Sequence, residues 1–564
     1  MVPLSRRETL RLGGGALAAS ALPGCGNPRP DYAKGPQSGT LIDAHCHLFN
    51  GRDLPITTFL TRLALPSFAE KVCDIKPDSV RSLTIEDPSI AEALIKLMVD
   101  WLLCATPTAR QERDRLDRNH TSTADSDKAR VYRRTERNLA AFLDKARPGA
   151  KPARALPEDR LRDALLQEAA GPLGARGLRT LSSRQAAKAL LTSPGPYGAL
   201  MRWVALFFRS RQSLAQELAT ASGLWGRKPL MLVPLMVDYA HWLGETTSKG
   251  SSFRDQIAVY GALARRSPVP IHGMVPFDPL RSVFWTTGKH KRFKGTPEFD
   301  PLDLAEEALT DHGFLGLKLY PPMGFRAIGN LSKDTNYPKK ALEALELPPD
   351  ALGVELDRAM IRAFDFCLRH DAPILAHASN SVAAGPEYGR RAEPRFWIDA
   401  LKIRPALRLS LAHGGGFCWR QSRPGAPADR SSWEWTIGEY VRANPDSHLY
   451  MDISYFSEVF PDEGRLEHVA KQLQDWISHC DPDARHILYG TDWIMLEQVP
   501  DYAKYGVEVL SFLKDRCKLT DAQIDRVMWQ NAMRFLGLDS GKTRDRMLTF
   551  YGSRRPDWTK MSLT

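Results

Sequence analysis

A (β/α)8 barrel of the TIM type, interrupted after its first strand by a large helical insertion, is the α/β fold that this 564-residue sequence predicts. Three observations carry the prediction. Eight short, nearly unbroken apolar runs recur, as strands buried on both faces require: "LIDAHCH" from 41, "LMLVPLMV" from 230, "PIHGMVPF" from 270, "FLGLKLY" from 314, "PILAHAS" from 373, "LRLSLAH" from 407, "HLYMDIS" from 448 and "HILYGTDW" from 486. Helical patterns separate the last seven, and strands alternating with helices pair in parallel. The steps from His377 to His413 and from His413 to Asp452 are 36 and 39 residues, each about one βα unit.

In chain order, residues 1–24 come first as a targeting segment. "SRRETLRLGGGALAASALPGCG" joins paired arginines to a Gly/Ala/Leu stretch too short and too weakly apolar to span a bilayer. Ser5-Arg6-Arg7 resembles a twin-arginine export signal, although Thr9 stands where a large apolar residue is usual. Leu22-Pro23-Gly24-Cys25 resembles a bacterial lipoprotein cleavage box. Together they imply an exported, periplasmic or cell-envelope protein, lipid-anchored through Cys25 and touching membrane only there.

Residues 51–228 read as the helical insertion. "PSIAEALIKLMVDWLLCA", "PEDRLRDALLQEAA" and "YGALMRWVALFFRSRQSLAQELATA" space their apolar residues as helices do, while "ATPTARQERDRLDRNHTSTADSDKARVYRR" reads as a polar, mobile connection. Loops at the strand-one rim set substrate choice in such barrels, which makes this block a cap beside the site. The barrel itself takes 25–50 and 229–540, and 541–564 forms a tail.

Composition sets the function class. With 43% hydrophobic and 25% charged residues the chain is globular. Of the formal charge of +11, residues 101–190 supply eight, carrying 19 basic against 11 acidic residues. That charge lacks regularly interleaved aromatics and reads as a solvated helical face, so a small molecule and not nucleic acid is the expected partner. Oligomeric state is left open. Eight cysteines, without a CxxC pair, do not form a disulfide framework.

The strand ends carry the chemistry, because barrel active sites lie at the C-terminal ends of the strands. His45 and His47 alternate with Cys46 and so share a face. His377 ends strand five, His413 strand six and Asp492 strand eight, while Lys318 interrupts strand four. Any one could be a hydrogen-bonded structural residue; their joint placement at strand ends points to a metal site, since unpaired buried polar groups cost several kcal/mol. His241, His272 and His312 are weaker rim candidates.

The motifs "IDAHCHLFN", "GFLGLKLYP", "ILAHAS", "LAHGGG", "LYGTDW" and "NAMRFLGL" occur in the order seen in the amidohydrolase superfamily. The chain resembles its amidohydrolase-related branch, which includes aminocarboxymuconate-semialdehyde decarboxylase. The resemblance implies that His45, His47, His377 and Asp492 ligate a metal, that His413 and Asp492 are catalytic and that Lys318 binds a substrate carboxylate. Nitrogen ligands with one carboxylate suit zinc, with manganese as the alternative. One ion is expected; two bridged by a carboxylated Lys318 is the alternative, and a lysine paired with Asp452 the plain structural one. The implied reaction is metal-dependent hydrolysis of an amide, ester or lactone. Decarboxylation of a small carboxylate and a non-catalytic surface lipoprotein are the competing readings.

Overall fold

A computed structural model describes residues 32–64, 87–119, 123–145, 157–171, 181–243, 250–289, 299–332, 336–381, 384–385, 387–416, 422, 424–460, 463–499, 501–561 and 563. The expected signal and Cys25 lie outside them. Eight parallel strands form the barrel: β1 Thr40–Cys46, β2 Lys228–Pro234, β3 Met274–Pro276, β4 Gly316–Leu319, β5 Ile374–His377, β6 Leu409–Ala412, β7 Leu449–Asp452 and β8 Ile487–Leu488. β1 pairs with β2 and β3 to β8 pair in order, each with its neighbour. Single bridges close the circuit, Leu232 to Ile271 and Leu235 to Met274 on one side of β2, and Cys46 to Trp493 beyond β8. The strands are buried along nearly their whole length, which is why they read as unbroken apolar runs.

Between β1 and β2 the described residues form seven longer helices: α1 Pro88–Leu102, α2 Ala109–Asp117, α3 Ala124–Asp144, α4 Pro157–Ala170, α5 Ser183–Thr192, α6 Pro196–Leu206 and α7 Arg211–Leu224. α2 and α3 fill most of the stretch expected to be a mobile connection. Sequence periodicity misses them because charged pairs occupy inward positions that apolar residues usually hold. Glu112 and Asp127, buried on these helices, bind Arg211 and Arg130, and Lys128 binds Glu217. Thr108 and Thr123 cap the helix starts.

The block leaves and returns at one point. The Asn50 side-chain amide donates to the carbonyls of Pro107 and Arg209, and Gly51 N–H donates to Phe207 O. From there α7 runs to the opposite end of the barrel, where Gly35 N–H meets Leu224 O and Trp225 Nε1 donates to Ala503 O. It is thus the β1-to-β2 crossover helix, and the added structure is what precedes it. Trp203 is fully buried and donates from Nε1 to Ile494 O at 3.1 Å, just beyond β8; the block therefore packs on the strand-end rim. The C-terminal segment is partly helical, over Gly541–Tyr551.

Among the described residues no helix is long and apolar enough to cross a membrane. Cys46, Cys104, Cys367, Cys480 and Cys517 are free thiols.

Candidate metal centre

His45 and His47 sit at the end of β1 with both rings buried. Their outer nitrogens are fixed first. His45 Nδ1 lies 3.0 Å from Asp452 Oδ2, and His47 Nδ1 lies 3.0 Å from Leu235 O. A carboxylate and a carbonyl only accept, so each ring carries hydrogen on Nδ1 and turns Nε2 inward. There His45 Nε2 lies 3.4 Å and His47 Nε2 3.1 Å from Asp492 Oδ1.

Asp492 arrives from strand eight through a tight turn. Its φ is 53°, and its N–H donates to His45 O at 2.7 Å. Gly490 lets the strand pass close: a Cβ there would stand 2.7 Å from His45 Cβ. Burial alone would raise the Asp492 pKa, but His45 and His47 hold the carboxyl well below its ordinary range. Burial pushes the His47 pKa down; burial opposes His45 as well, but Asp452 and Asp492 together hold its pKa up. Two inward nitrogens and an ionised carboxylate oxygen thus converge, with ligand atoms within 4.8 Å of one another. A single metal cation can satisfy all three at once, whereas one proton on His45 would leave His47 Nε2 without a donor. The residues therefore fit a metal through the chemistry of their donors.

The other expected site residues surround this trio differently. His377 stands with its ring 4.7 Å from that of His413 and 4.3 Å from that of Tyr320. Its Nε2 is hydrogen-bonded to the hydroxyls of Ser379 and Ser381 at 2.9 and 2.8 Å, so it is not among the three converging atoms. His413, left-handed at φ 58° and followed by three positive-φ glycines, places its ring 5.0 Å from His45. Burial pushes its pKa down to about 4 and leaves it neutral at pH 7. Lys318 is buried and its Nζ has no hydrogen-bond partner. Burial lowers its pKa to about 8, with Asp452 and Asp492 pulling it back up. It lines a small recess with Met236, Asp238, Phe277, Asp278 and Tyr320.

Three expectations are corrected. Asp452 does not pair with Lys318: its oxygens take His45 Nδ1, the His413 N–H at 2.9 Å and the Ser454 N–H at 3.1 Å. His272 precedes β3 and bonds Gly313 O and Tyr551, at the strand-start end and not the rim. His312 caps the helix before β4 and lies at that same end. His241 follows β2 and lies 3.7 Å from Asp278, in a group of its own with Asp238. Asp238 is already held by Arg281 at 2.6 and 3.0 Å.

Sequence reasoning missed Asp43, which accepts from Thr491 and the His45 N–H, and Ser454, which touches both His45 and His413. Both interrupt apolar runs, the signal that exposed Lys318. The ring chain Phe49, Phe59, Tyr239 and Tyr320 was missed too; it links His47 to His377 at centroid spacings of 4.3–6.0 Å. Phe59 comes from the insertion.

An amidohydrolase family profile matches residues 249–538. The chain belongs to the amidohydrolase family. Strands β1 and β2 and the helical block precede the matched span, so His45 and His47 lie outside it. No curated protein matches the sequence. Similar solved structures include an uncharacterised TIM-barrel protein of Bordetella bronchiseptica (15% identity, 58% of this chain and 83% of that one, TM-score 0.34). Another is the 5-carboxyvanillate decarboxylase of Novosphingobium aromaticivorans with bound manganese (12% identity, 67% and 93%, TM-score 0.35). A third is a Lactobacillus casei protein provisionally described as a metal-dependent hydrolase (13% identity, 68% and 91%, TM-score 0.33).

Proposed function

We propose that this amidohydrolase is a single-metal hydrolase acting on an amide, ester or lactone in a small carboxylated molecule. The observation that carries the reading is the convergence of His45 Nε2, His47 Nε2 and Asp492 Oδ1 with outer hydrogen bonds that leave their lone pairs inward. His377 is the fourth ligand of the proposal, and binding there displaces the serine hydroxyls from its Nε2. Zinc suits this set best and manganese next. The second trio, His45, His413 and Asp452, is already satisfied by its own hydrogen bonds, which favours one ion over two.

When bound, the ion supplies a Lewis acid and a water of lowered pKa. The protein's own groups do the rest. Asp492, ionised at neutral pH, takes the proton from the attacking water and passes it to the leaving group. His413, neutral, exchanges a hydrogen bond with the substrate's reacting end. Lys318, a cation below about pH 8 and without an internal partner, holds the substrate carboxylate. The same lysine supports a second reading, in which the bound carboxylate is itself lost as CO2.

Metal analysis of purified protein, followed by assay of a panel of small carboxylated amides, esters and lactones, tests the proposal. About one zinc or manganese per chain with acid release supports it. CO2 release without hydrolysis selects the second reading, and a chain that retains no divalent ion overturns both. Export with an acyl anchor at Cys25 is a companion proposal resting on the N-terminal motifs; Cys25→Ala should then free the protein from membranes.

A further inference from the structure

Strand seven ends in a hydrogen-bond device that serves two histidines at once. Ser454 Oγ lies 3.0 Å from His45 Nδ1, 3.0 Å from His413 Nδ1 and in short contact with Asp452 Oδ1. The hydroxyl has one proton to give. Asp452 is an acceptor by its geometry: its oxygens already take His45 Nδ1 at 3.0 Å, the His413 N–H at 2.9 Å and the Ser454 N–H at 3.1 Å. Two oxygens that close need a proton between them, so the Ser454 proton belongs to Asp452. The oxygen of Ser454 is then only an acceptor toward the rings. His45 Nδ1 donates to Asp452 Oδ2 at 3.0 Å. His413 Nδ1 faces Ser454 Oγ at 3.0 Å and Ser454 O at 3.3 Å, both acceptors, and must itself carry hydrogen.

We infer that Ser454, with its proton committed to Asp452, is a positioning residue that holds His413 as the Nδ1–H tautomer, so that its Nε2 begins the reaction as a proton acceptor and not as a donor. The opposite tautomer would set a bare Nδ1 against two acceptor oxygens inside a dry site, where unpaired polar groups are costly. In the proton step, the Nε2 lone pair takes a proton from a hydroxyl at the substrate's reacting end: a new N–H bond forms, that O–H bond breaks and leaves its electron pair on oxygen, and Nδ1 keeps its hydrogen on Ser454. The imidazolium so formed is one hydroxyl away from Asp452, whose N–H bond from His413 at 2.9 Å also fixes the backbone. Acid chemistry at His413 can only follow that step. This role for His413 rests on the proposed reaction, whereas the tautomer does not.

The test is 15N NMR of the full chain labelled at histidine nitrogens, metal-free and at neutral pH, with the His413 signals assigned through His413→Gln. The expected result is the Nδ1–H pattern for His413. In Ser454→Ala it should become a mixture with the Nε2–H form, and Ser454→Thr should restore it. kcat/KM of the metal-loaded enzyme should fall about 10- to 100-fold in Ser454→Ala, as for other groups that orient active-site histidines, and recover in the threonine variant. An Nε2–H pattern in the unaltered protein, or an unchanged pattern in Ser454→Ala, overturns the inference. Because the NMR measurement is made without metal, a chain that binds no ion would sink the proposed function and leave the tautomer result standing.

Discussion

Asp492 and Glu497 are five residues apart, yet the polar networks around them obey opposite rules. Glu497 faces the helical block, where Arg209 and Lys128 both bind Glu217, and the Tyr32 hydroxyl donates to it at 3.3 Å. Glu497 lacks a cation of its own and takes a proton instead: burial and Glu217 push its pKa up to about 8, with Tyr502 hydrogen-bonded to it. Nearby, Arg211 is shared by Asp53 and Glu112. In this network each buried anion finds a cation or a proton within the protein. Around Asp492, three acceptors face one another, and Lys318 sits close by without a partner. Buried polarity alone therefore does not mark a site. A convergence of acceptors that no internal cation or proton serves does.

The sharpest break of this comparison is at the metal ligands. His45→Ala, His47→Ala and Asp492→Ala should each abolish stoichiometric binding of zinc or manganese, read by elemental analysis, while His377→Ala should weaken it less. Equal loss in all four would mean that His377 turns fully into the site.

On the insertion side the expected effect is on stability. Arg211→Ala leaves Asp53 and Glu112 buried without their cation and should cost about 3–5 kcal/mol in denaturant unfolding; a smaller cost would show that the network is not closed by that arginine. Lys318→Met should leave unfolding unchanged or later, because no internal bond is lost, yet raise KM for a carboxylated substrate roughly 10- to 100-fold, or about 1.5–3 kcal/mol. In the unaltered enzyme the same KM should climb above about pH 8 as Lys318 loses its charge.

The smallest effect is at Glu497. Its folded pKa lies above the ordinary 4.5, so the folded state binds the extra proton. Its contribution to stability is complete below about pH 4.5 and fades as pH rises through about 8. Thermal unfolding across that window should slope downward, and Glu497→Gln should flatten the slope.

The barrel was legible because each strand is buried on both faces and each helix on one. The rim was legible for a related reason: His45, His47, His377, His413, Asp492 and Lys318 are polar residues set in or at the end of apolar runs. Asp43 and Ser454 carry the same mark but read as strand punctuation, since their partners come from distant strands. α2 and α3 escaped because Glu112, Asp127 and Lys128 face inward against charges that lie 99, 3 and 89 residues away in the chain, and periodicity does not record such pairs. The ring chain from Phe49 to Tyr320 needs tertiary folding to exist at all.

Asn50 holds the carbonyls of Pro107 and Arg209 with one amide group, and Gly51 meets Phe207. The two ends of the helical block are thus tied together before α7 begins. Topologically the block is a side branch: a short turn from Gly51 to Ser210 would join β1 to its crossover helix directly. The branch is nonetheless bolted to the barrel it covers: Arg211 on α7 takes Asp53 and Glu112 from it and Trp203 reaches Ile494, so the wall over the strand-one histidines, to which Phe59 belongs, is fixed from below.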